Sequence, residues 1–356
     1  MSTTEIIAAD NLGDPLETGP GSRWWPNPFK ELKARRAVNA QLRALNPETD
    51  FHQIARLVVG RVFADAFFND ALFTVAYWRQ IAVRTIAPVL HQSGRGKTYE
   101  TTKRVDDTLL FFGFLYRDGW QTTRAGATID RLAAMHERFK IPPDDFRYTL
   151  SGLCFEPVRI PEILGCQVLS ESEARALFLF WREVGRRWGV DVPEEQAAFR
   201  AWMEHYEETT YERTPEGPLL ATAMGDDFCK RFFPGPLKAL GYTLLRCCAD
   251  DHLLDTVGQP HPSKVSRRIV GLLVRAFAAF RRWVPASSAP QLLRQWNREY
   301  GTALDPMIVG PDWARKIAPE HRRQAKAGQC PFAAAKATLQ GAESDSQSHT
   351  PGAPSP

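Results

Sequence analysis

His136 is a side chain whose chemistry depends on where the chain places it. The stretch from Met135 to Leu150 has the pattern of a helix that ends, a stop at Pro142-Pro143, and a new helix. A neutral imidazole at the end of such a helix can coordinate an iron through one ring nitrogen. Its other ring nitrogen can donate to a main-chain carbonyl, and Leu132, one turn back, supplies a candidate.

Three polar residues upstream share one face of a predicted helix. Arg104, Asp107 and Thr108 fall at i, i+3 and i+4, so a cation, a carboxylate and a hydroxyl lie together. A guanidinium and a hydroxyl can stabilise the partial negative charge of bound dioxygen where water is excluded, and the carboxylate can accept or return a proton. Two such helices facing each other across apolar walls can hold a flat cofactor.

The same residues also have an ordinary structural interpretation. A single histidine on an apolar helix face is more often a hydrogen-bonded core residue than a metal ligand. Arg104 can pair with acidic neighbours on a helix surface, and the Thr108 hydroxyl can bond back to the main chain. Residue types and spacing leave both interpretations open.

The elements that must position these residues are helices. Apolar residues recur at steps of three and four, which predicts helices at 29–45, at about 50–90 with a break, at about 100–117 and from near 126 to 139. On the last of these, His136 shares the apolar side with Ile129, Leu132 and Phe139. We therefore expect His136 to face the core.

Further helices follow this region. Asp144 or Asp145 is a predicted cap of the next helix, which we expect to end near Glu156-Pro157. Others are predicted at about 170–189, 193–213, 226–233, 236–255, 262–283 and 289–301. Because few segments alternate with the period of a strand, we predict an all-α fold with a single large helical domain.

Composition divides the chain into three parts. Residues 1–28 are predicted to form an extended N-terminal arm, with Trp24 and Trp25 as docking side chains among prolines. Residues 29–325 form the predicted helical domain. Residues 326–356 are rich in Ala, Gln, Ser, Gly and Pro, which predicts a disordered C-terminal tail.

Charge and cysteine content exclude several classes of protein. The 356 residues carry 45 basic and 41 acidic side chains, and a net charge of +4 is too small to indicate a nucleic-acid partner. Six cysteines show no zinc-ligand spacing and are predicted to be reduced thiols in a cytoplasmic protein. Charged residues interrupt every apolar stretch, so we expect no transmembrane span.

Three segments together resemble a known family. They are Lys103-Arg104-Val105-Asp106-Asp107-Thr108, then Met135-His136 with the stretch Ile141-Pro142-Pro143-Asp144-Asp145-Phe146-Arg147-Tyr148-Thr149-Leu150, then Phe155-Glu156-Pro157-Val158-Arg159. Over roughly residues 100–160 they resemble the MpaB and latex-clearing-protein family of rubber-oxygenase-like enzymes. Helical agreement outside this region is looser.

The resemblance implies a cofactor and a reaction. It implies a globin-like helical core around a b-type haem, with cleavage of isoprenoid C=C bonds by dioxygen. His136 would be the proximal iron ligand, and Arg104 and Thr108 the distal residues. The lysine that the latex-degrading branch carries just before the threonine is Asp107 here, a departure that argues against rubber itself as the substrate.

Residue types also give expectations for positions near this region. Arg159 can reach a haem propionate or pair internally with Glu156, and both remain open. Some of the apolar residues at 109–116 can line a channel for a small, unsaturated hydrophobic substrate, while most belong to the core.

Two other functions compete with this hypothesis. Asp250, Asp251 and Asp255 recur on a predicted helix as in the aspartate-rich motif of terpene and prenyl-diphosphate enzymes, and could bind Mg²⁺. A non-catalytic haem- or lipid-binding protein is the second. The helix from Lys264 to Trp283 mixes arginines with apolar residues, so peripheral contact with a membrane surface and packing on the core are both open.

Overall fold

The computed structural model describes residues 37–63, 65–93, 99–283 and 309–310, and these residues form an all-α structure. A helical segment at 37–44 comes first. The helices that follow are α1 (Phe51–Leu57), α2 (Ala66–Ala82), α3 (Ile86–Ser93), α4 (Tyr99–Asp118), α5 (Thr123–His136), α6 (Pro143–Ile163), α7 (Glu171–Trp188), α8 (Gln196–Thr210), α9 (Gly217–Phe232), α10 (Lys238–Cys247), α11 (Asp251–Thr256) and α12 (Lys264–Trp283). A π-helical turn, Val58–Val62, follows α1, and a 3-10 turn, Gly235–Leu237, precedes α10.

Local signals in the sequence set several helix ends. The Asp65 carboxylate caps α2 by accepting hydrogen bonds from the backbone amides of Phe67 and Phe68. A reciprocal capping box between Ser170 and Glu173 starts α7. At its other end, Gly189 adopts φ 89°, a left-handed conformation that glycine reaches without strain.

Helix α2 lies at the centre of the structure. It packs against α3, α6, α9, α10 and α11, while α7 packs against α1, α5 and α6. Trp78 of α2 and Trp181 of α7 are fully buried, and the Trp78 indole donates to the Ala221 carbonyl at 3.1 Å. Burial of large aromatic side chains supplies much of the stabilisation of such a core. Helix α4 packs against α1, α5 and α9, so that α4, α5, α6 and α7 are held relative to one another.

Helix α6 departs from the prediction at both ends. The acidic cap was wrong: Pro142 is the N-cap, and Asp144 and Asp145 lie in the first turn. Pro143 occupies the first helical position. Proline is well suited to this position, because a backbone N–H there would have no partner within the helix. The Asp145 carboxylate instead accepts hydrogen bonds from the hydroxyls of Thr85, at 2.9 Å, and Tyr206, at 2.5 Å.

The predicted end of α6 near Glu156-Pro157 was also wrong. The helix continues through Pro157 and Pro161 to Ile163. An interior proline costs about 3 kcal/mol because a backbone hydrogen bond is lost. Tertiary packing outweighs that cost here, because Glu156, Ile160 and Pro161 are all buried.

Several other boundaries differ from those predicted. The helix predicted at 236–255 is split into the 3-10 turn, α10 and α11, because Asp250 caps a new helix by accepting from the Leu253 amide at 2.9 Å. The helix predicted at 226–233 begins earlier, at Gly217. The expected break within 50–90 is confirmed, and Val83 forms an isolated bridge with Tyr211.

Some predictions lie outside the described residues. They concern the arm at 1–28, the helix at 289–301 and the tail at 326–356, so the division into arm, domain and tail stays a prediction. A globin-like core stays a prediction as well. None of the described helices combines the length and apolar character needed to cross a membrane.

Candidate functional site

His136 is the last residue of α5 and has a fixed hydrogen bond. Its Nδ1 lies 2.7 Å from the Leu132 carbonyl oxygen, as the sequence predicted. A carbonyl can only accept, so Nδ1 carries the proton. Burial lowers the pKa of the imidazole, the bond to Leu132 opposes this, and the charge of Arg104 lowers the pKa further. A neutral ring with its proton on Nδ1 leaves the lone pair on Nε2, the arrangement of a metal-ligating histidine.

Two aromatic rings hold the imidazole between α6 and α7. Phe146 and Trp188 each lie with a ring centroid 5.4 Å from that of His136, at interplanar angles of 70° and 67°. Edge-on contacts of this kind restrict ring rotation. Nothing in the local spacing around residues 146 and 188 pointed to His136, because both residues read as ordinary core positions.

Arg104 reaches the same end of the bundle from α4. Its guanidinium is hydrogen-bonded to the hydroxyl of the buried Tyr77 and lies 3.5 Å from the Leu90 carbonyl oxygen, the outer limit for such a bond. Its positive charge contributes to the lowered pKa of His136. Arg104 therefore lies near enough to His136 to influence its charge, and Tyr77, which the sequence pattern did not single out, adjoins Arg104.

Thr108 and Asp107 have local partners. The Thr108 hydroxyl donates to the Arg104 carbonyl at 2.8 Å. This is the bond to the main chain that is expected if Thr108 has an ordinary structural role. The Asp107 carboxylate accepts from Lys103 Nζ at 3.0 and 3.2 Å. Catalytic roles for both residues stay predictions, and any proton transfer at Asp107 must compete with its ion pair.

An apolar cavity of about 70 Å³ lies deeper in the bundle. Leu109, Phe112 and Tyr116 of α4 contribute to its wall, as expected for part of the 109–116 segment. The polar groups that border it have partners: the Tyr116 hydroxyl accepts from Trp181 Nε1 at 2.9 Å, and the Asn69 amide donates to two main-chain carbonyls. The cavity therefore presents a hydrocarbon surface.

The cavity and the His136 neighbourhood lie along the same helices. On α6, Phe146 contacts His136 while Gly152, Leu153 and Pro157 line the cavity. On α7, Trp188 contacts His136 while Trp181 and Leu177 line the cavity. At 1.5 Å per helical residue, the two places are about 10 Å apart along the helix axes.

Arg159 belongs to a buried ion network. Its guanidinium makes two hydrogen bonds to the Glu207 carboxylate, at 2.6 and 2.5 Å. Arg79, which is almost fully buried, lies 2.7 Å from Glu156 and 2.9 Å from Asp250. These contacts favour the internal pairing of Arg159 over the propionate role.

The three aspartates that were considered as Mg²⁺ ligands each contact a different partner. Asp250 caps α11 and pairs with Arg79, Asp251 lies 3.0 Å from Arg267, and Asp255 lies 2.8 Å from His261. Among the residues that the structure describes, no three His, Cys, Asp or Glu side chains are grouped as a metal ion would require. The diphosphate-enzyme alternative has no support from this geometry.

Sequence comparisons give independent information on the whole region. Residues 60–300 match the family described as "ER-bound oxygenase mpaB/B'/Rubber oxygenase, catalytic domain". This range includes the side chains around His136 and those that line the cavity. The exceptions are Val58 and Val59 of the π-helical turn, which precede residue 60.

Three fungal proteins are similar over a shorter stretch. ER-bound oxygenase mpaB of Penicillium brevicompactum is 28% identical over 141 residues, which cover 37% of this chain and 36% of that protein. ER-bound oxygenase mpaB' of the same species is 28% identical over 141 residues, covering 37% and 33%. ER-bound oxygenase mpaB of Penicillium roqueforti (strain FM164) is 27% identical over 140 residues, covering 36% and 47%. The match thus spans between a third and a half of these curated relatives.

Proposed function

The chain belongs to the family of the ER-bound oxygenase mpaB/B' and rubber oxygenase catalytic domain, and we propose that it is an oxidoreductase that uses dioxygen to oxidise or cleave C=C bonds of an unsaturated, hydrophobic, isoprenoid-like substrate. One observation carries the proposal: an imidazole with a carbonyl-bound Nδ1 lies within electrostatic reach of a guanidinium at one end of the bundle. The apolar cavity farther along the same helices supports a hydrocarbon substrate.

The proposed cofactor is a b-type haem, with His136 as its proximal iron ligand. The donor chemistry fits, because the neutral imidazole offers Nε2 while Leu132 holds Nδ1. Phe146 and Trp188 place apolar rings beside the imidazole, and a macrocycle held by His136 would pack against such surfaces. When bound, the haem iron would supply the activation of dioxygen, which amino-acid side chains cannot supply.

Arg104 is proposed to stabilise negative charge that develops on the oxygen substrate. A guanidinium keeps its proton at every physiological pH and presents several donors in a fixed plane. The Tyr77 hydroxyl and the Leu90 carbonyl hold this side chain in place before the reaction, so little reorganisation is needed. Tyr77 thus acts as a positioning residue for Arg104.

Thr108 and Asp107 are proposed to assist on the same helix. The Thr108 hydroxyl proton points to the Arg104 carbonyl, which leaves the hydroxyl oxygen able to accept a hydrogen bond. The Asp107 carboxylate can accept a proton once Lys103 gives up part of its contact.

The location of the protein stays a proposal. The thiol content and charge pattern of the sequence favour the cytoplasm, whereas the printed names of the relatives describe those proteins as ER-bound. The binding partners that the proposed reaction requires are a small hydrophobic substrate and dioxygen.

Oxygen uptake with a matched pair of hydrocarbons tests the proposed reaction. Squalene and its saturated analogue squalane have the same carbon skeleton but differ in C=C bonds. We expect haem-loaded protein to consume oxygen and form carbonyl products with squalene or a related polyprenoid, and to be inactive with squalane. Leu153→Trp, which fills the cavity, should lower the rate, while Leu219→Trp on an exposed surface should not.

The contrary result is equally well defined. Binding of haem and of the polyprenoid without oxygen uptake would overturn the enzymatic proposal in favour of a non-catalytic haem- and lipid-binding protein. Equal uptake with squalane would contradict the assignment of the C=C bond as the reacting group.

A further inference from the structure

Helix α12 presents an apolar stripe to solvent. The stripe consists of Val265, Ile269, Leu272, Phe280 and Trp283. Successive members are three, four or eight residues apart, which places them on one face of the helix. Each of these side chains, and that of the neighbouring Leu273, is more than half exposed. An exposed stripe of this length on a helix marks a surface with an apolar partner.

The opposite side of α12 is anchored to the rest of the protein. Arg267 pairs with Asp251 at 3.0 Å, and the Phe277 ring stacks on Phe68 with centroids 6.2 Å apart. At Gly271 the backbone is so close to the end of α6 that a Cβ would lie 2.3 Å from the Leu164 carbonyl oxygen. The stripe is therefore the outer face of a docked helix.

The charge of α12 is of one sign. The sequence from Lys264 to Trp283 contains six basic residues and no acidic residue. Lys264, Arg268 and Arg275 are exposed and follow one edge of the apolar stripe, at positions i, i+4 and i+11. A row of cations beside large apolar side chains complements the anionic headgroups and acyl chains at a membrane surface.

The C-terminal half of α12 also borders the apolar cavity. Phe277 stacks on Phe68, and the Arg282 guanidinium lies over the Phe63 ring at 5.3 Å and donates to the Val168 carbonyl at 3.0 Å. Phe63, Phe68 and Val168 all contribute to the cavity wall. A hydrophobic molecule held at the outer stripe would thus be about one helix diameter, roughly 10 Å, from this interior space.

We propose that α12 is a docking surface for anionic phospholipid membranes, lying parallel to the bilayer with its apolar stripe among the acyl chains and its basic edge at the headgroups. Docking places the cavity wall beside the membrane in which hydrophobic molecules accumulate. The proposal does not depend on the haem or on the reaction.

Flotation of the full chain with vesicles tests this docking. Vesicles of phosphatidylcholine with 30 mol% phosphatidylserine are compared with phosphatidylcholine alone. We expect the protein to float with the anionic vesicles, and Leu272→Ser combined with Leu273→Ser to weaken binding at least tenfold. Leu219→Ser, which removes an equally exposed leucine on α9, is the matched control and should bind as the wild type does.

Charge reversal separates the two parts of the surface. Lys264→Glu combined with Arg268→Glu, two exposed positions on this edge, should abolish the preference for anionic vesicles. Circular dichroism checks that each variant keeps its helical content.

Three results would overturn the proposal. One is wild-type protein that does not float with anionic vesicles. Another is a dimer that becomes a monomer in the Leu272→Ser, Leu273→Ser variant while vesicle binding is absent, which would assign the stripe to a second copy of the chain. The third is strong protection of Leu272 and Leu273 from hydroxyl radicals in the vesicle-free full chain, which would assign it to another segment of the same chain.

Discussion

At the scale of single residues, the hydrogen bond between His136 Nδ1 and the Leu132 carbonyl determines what the imidazole can do. It fixes the tautomer, and the lowered pKa keeps the ring neutral, so Nε2 is available as a ligand atom. This bond follows from helical geometry alone, since residues i and i−4 lie on one face, and the sequence could predict it.

Other residues of the site could not be predicted in this way. Tyr77, Phe146 and Trp188 reach Arg104 and His136 from three different helices. Their apolar and aromatic character fits any core position, and only the packing of helices distant in sequence brings them together. By contrast, the two interpretations of Thr108 were both visible in the sequence, and its hydroxyl makes the main-chain bond.

Replacement of Arg104 tests the proposed electrostatic role. We expect Arg104→Ala to retain haem and to lower turnover by about 10²-fold or more, the usual effect of removing a donor aimed at developing charge. The pKa of His136 should rise in the metal-free protein, because a nearby positive charge is removed. Steady-state oxygen uptake and NMR titration of the imidazole measure the two effects.

Arg124→Ala is the control for this experiment, since Arg124 is exposed on α5. Turnover that survives unchanged in Arg104→Ala would remove the residue from the reaction.

Asp70 gives a prediction for stability against pH. This carboxyl is buried on α2, neither of its oxygens has a hydrogen-bond partner among the described residues, and burial raises its pKa to about 7. The folded protein then binds a proton that the unfolded chain releases near pH 4, so this residue's contribution to stability falls as pH rises from about 4 to about 7. Asp70→Asn removes that dependence.

Chemical denaturation of the wild type and Asp70→Asn measures the effect. The free energy of unfolding of the variant, relative to the wild type, should increase by up to about 3 kcal/mol between pH 5 and pH 8. A difference that stays constant over this range would show that Asp70 is ionised in the folded protein throughout.

At the scale of secondary-structure elements, four helices contribute the residues of the site, which lie near one end of the helical bundle. α4 supplies Arg104, α5 supplies His136, and α6 and α7 supply the aromatic rings around it. The sequence predicted that all four helices exist. It failed at the ends of α6, because a local rule stops helices at prolines, whereas burial of the second half of α6 keeps Pro157 and Pro161 within the helix.

Alanine substitutions at two glycines are expected to change the free energy of unfolding in opposite directions. A Cβ at Gly152 of α6 would meet only Gln80 Nε2, at 3.6 Å, so Gly152→Ala should raise the unfolding free energy by up to about 1 kcal/mol through helix propensity. A Cβ at Gly271 of α12 would lie 2.3 Å from a main-chain oxygen, so Gly271→Ala should destabilise the protein by about 1–3 kcal/mol.

Urea denaturation of both variants compares these effects under one set of conditions. Equal effects of the two substitutions would contradict the close approach of α12 to the end of α6.

At the scale of the whole molecule, periodicity predicted an all-α protein, and the structure confirms it over the described residues. The long-range arrangement could not be predicted. Arg79, Arg159 and Glu207 form one buried network from α2, α6 and α8, and no spacing in the sequence links three such distant positions. The α12 surface was predictable as an amphipathic helix, but only the structure separates its packed side from its exposed stripe.

The proposed oxygenase function requires a bond between His136 and a haem iron, and absorption spectroscopy of the purified protein tests this bond most directly. With ample haem supply during expression, the wild type and His205→Ala, a control in an exposed histidine on α8, should each show a Soret band and one iron per chain. His136→Ala should lose both while keeping its helical circular dichroism. A colourless wild-type protein, or a His136→Ala variant with an unchanged Soret band, would contradict the assignment.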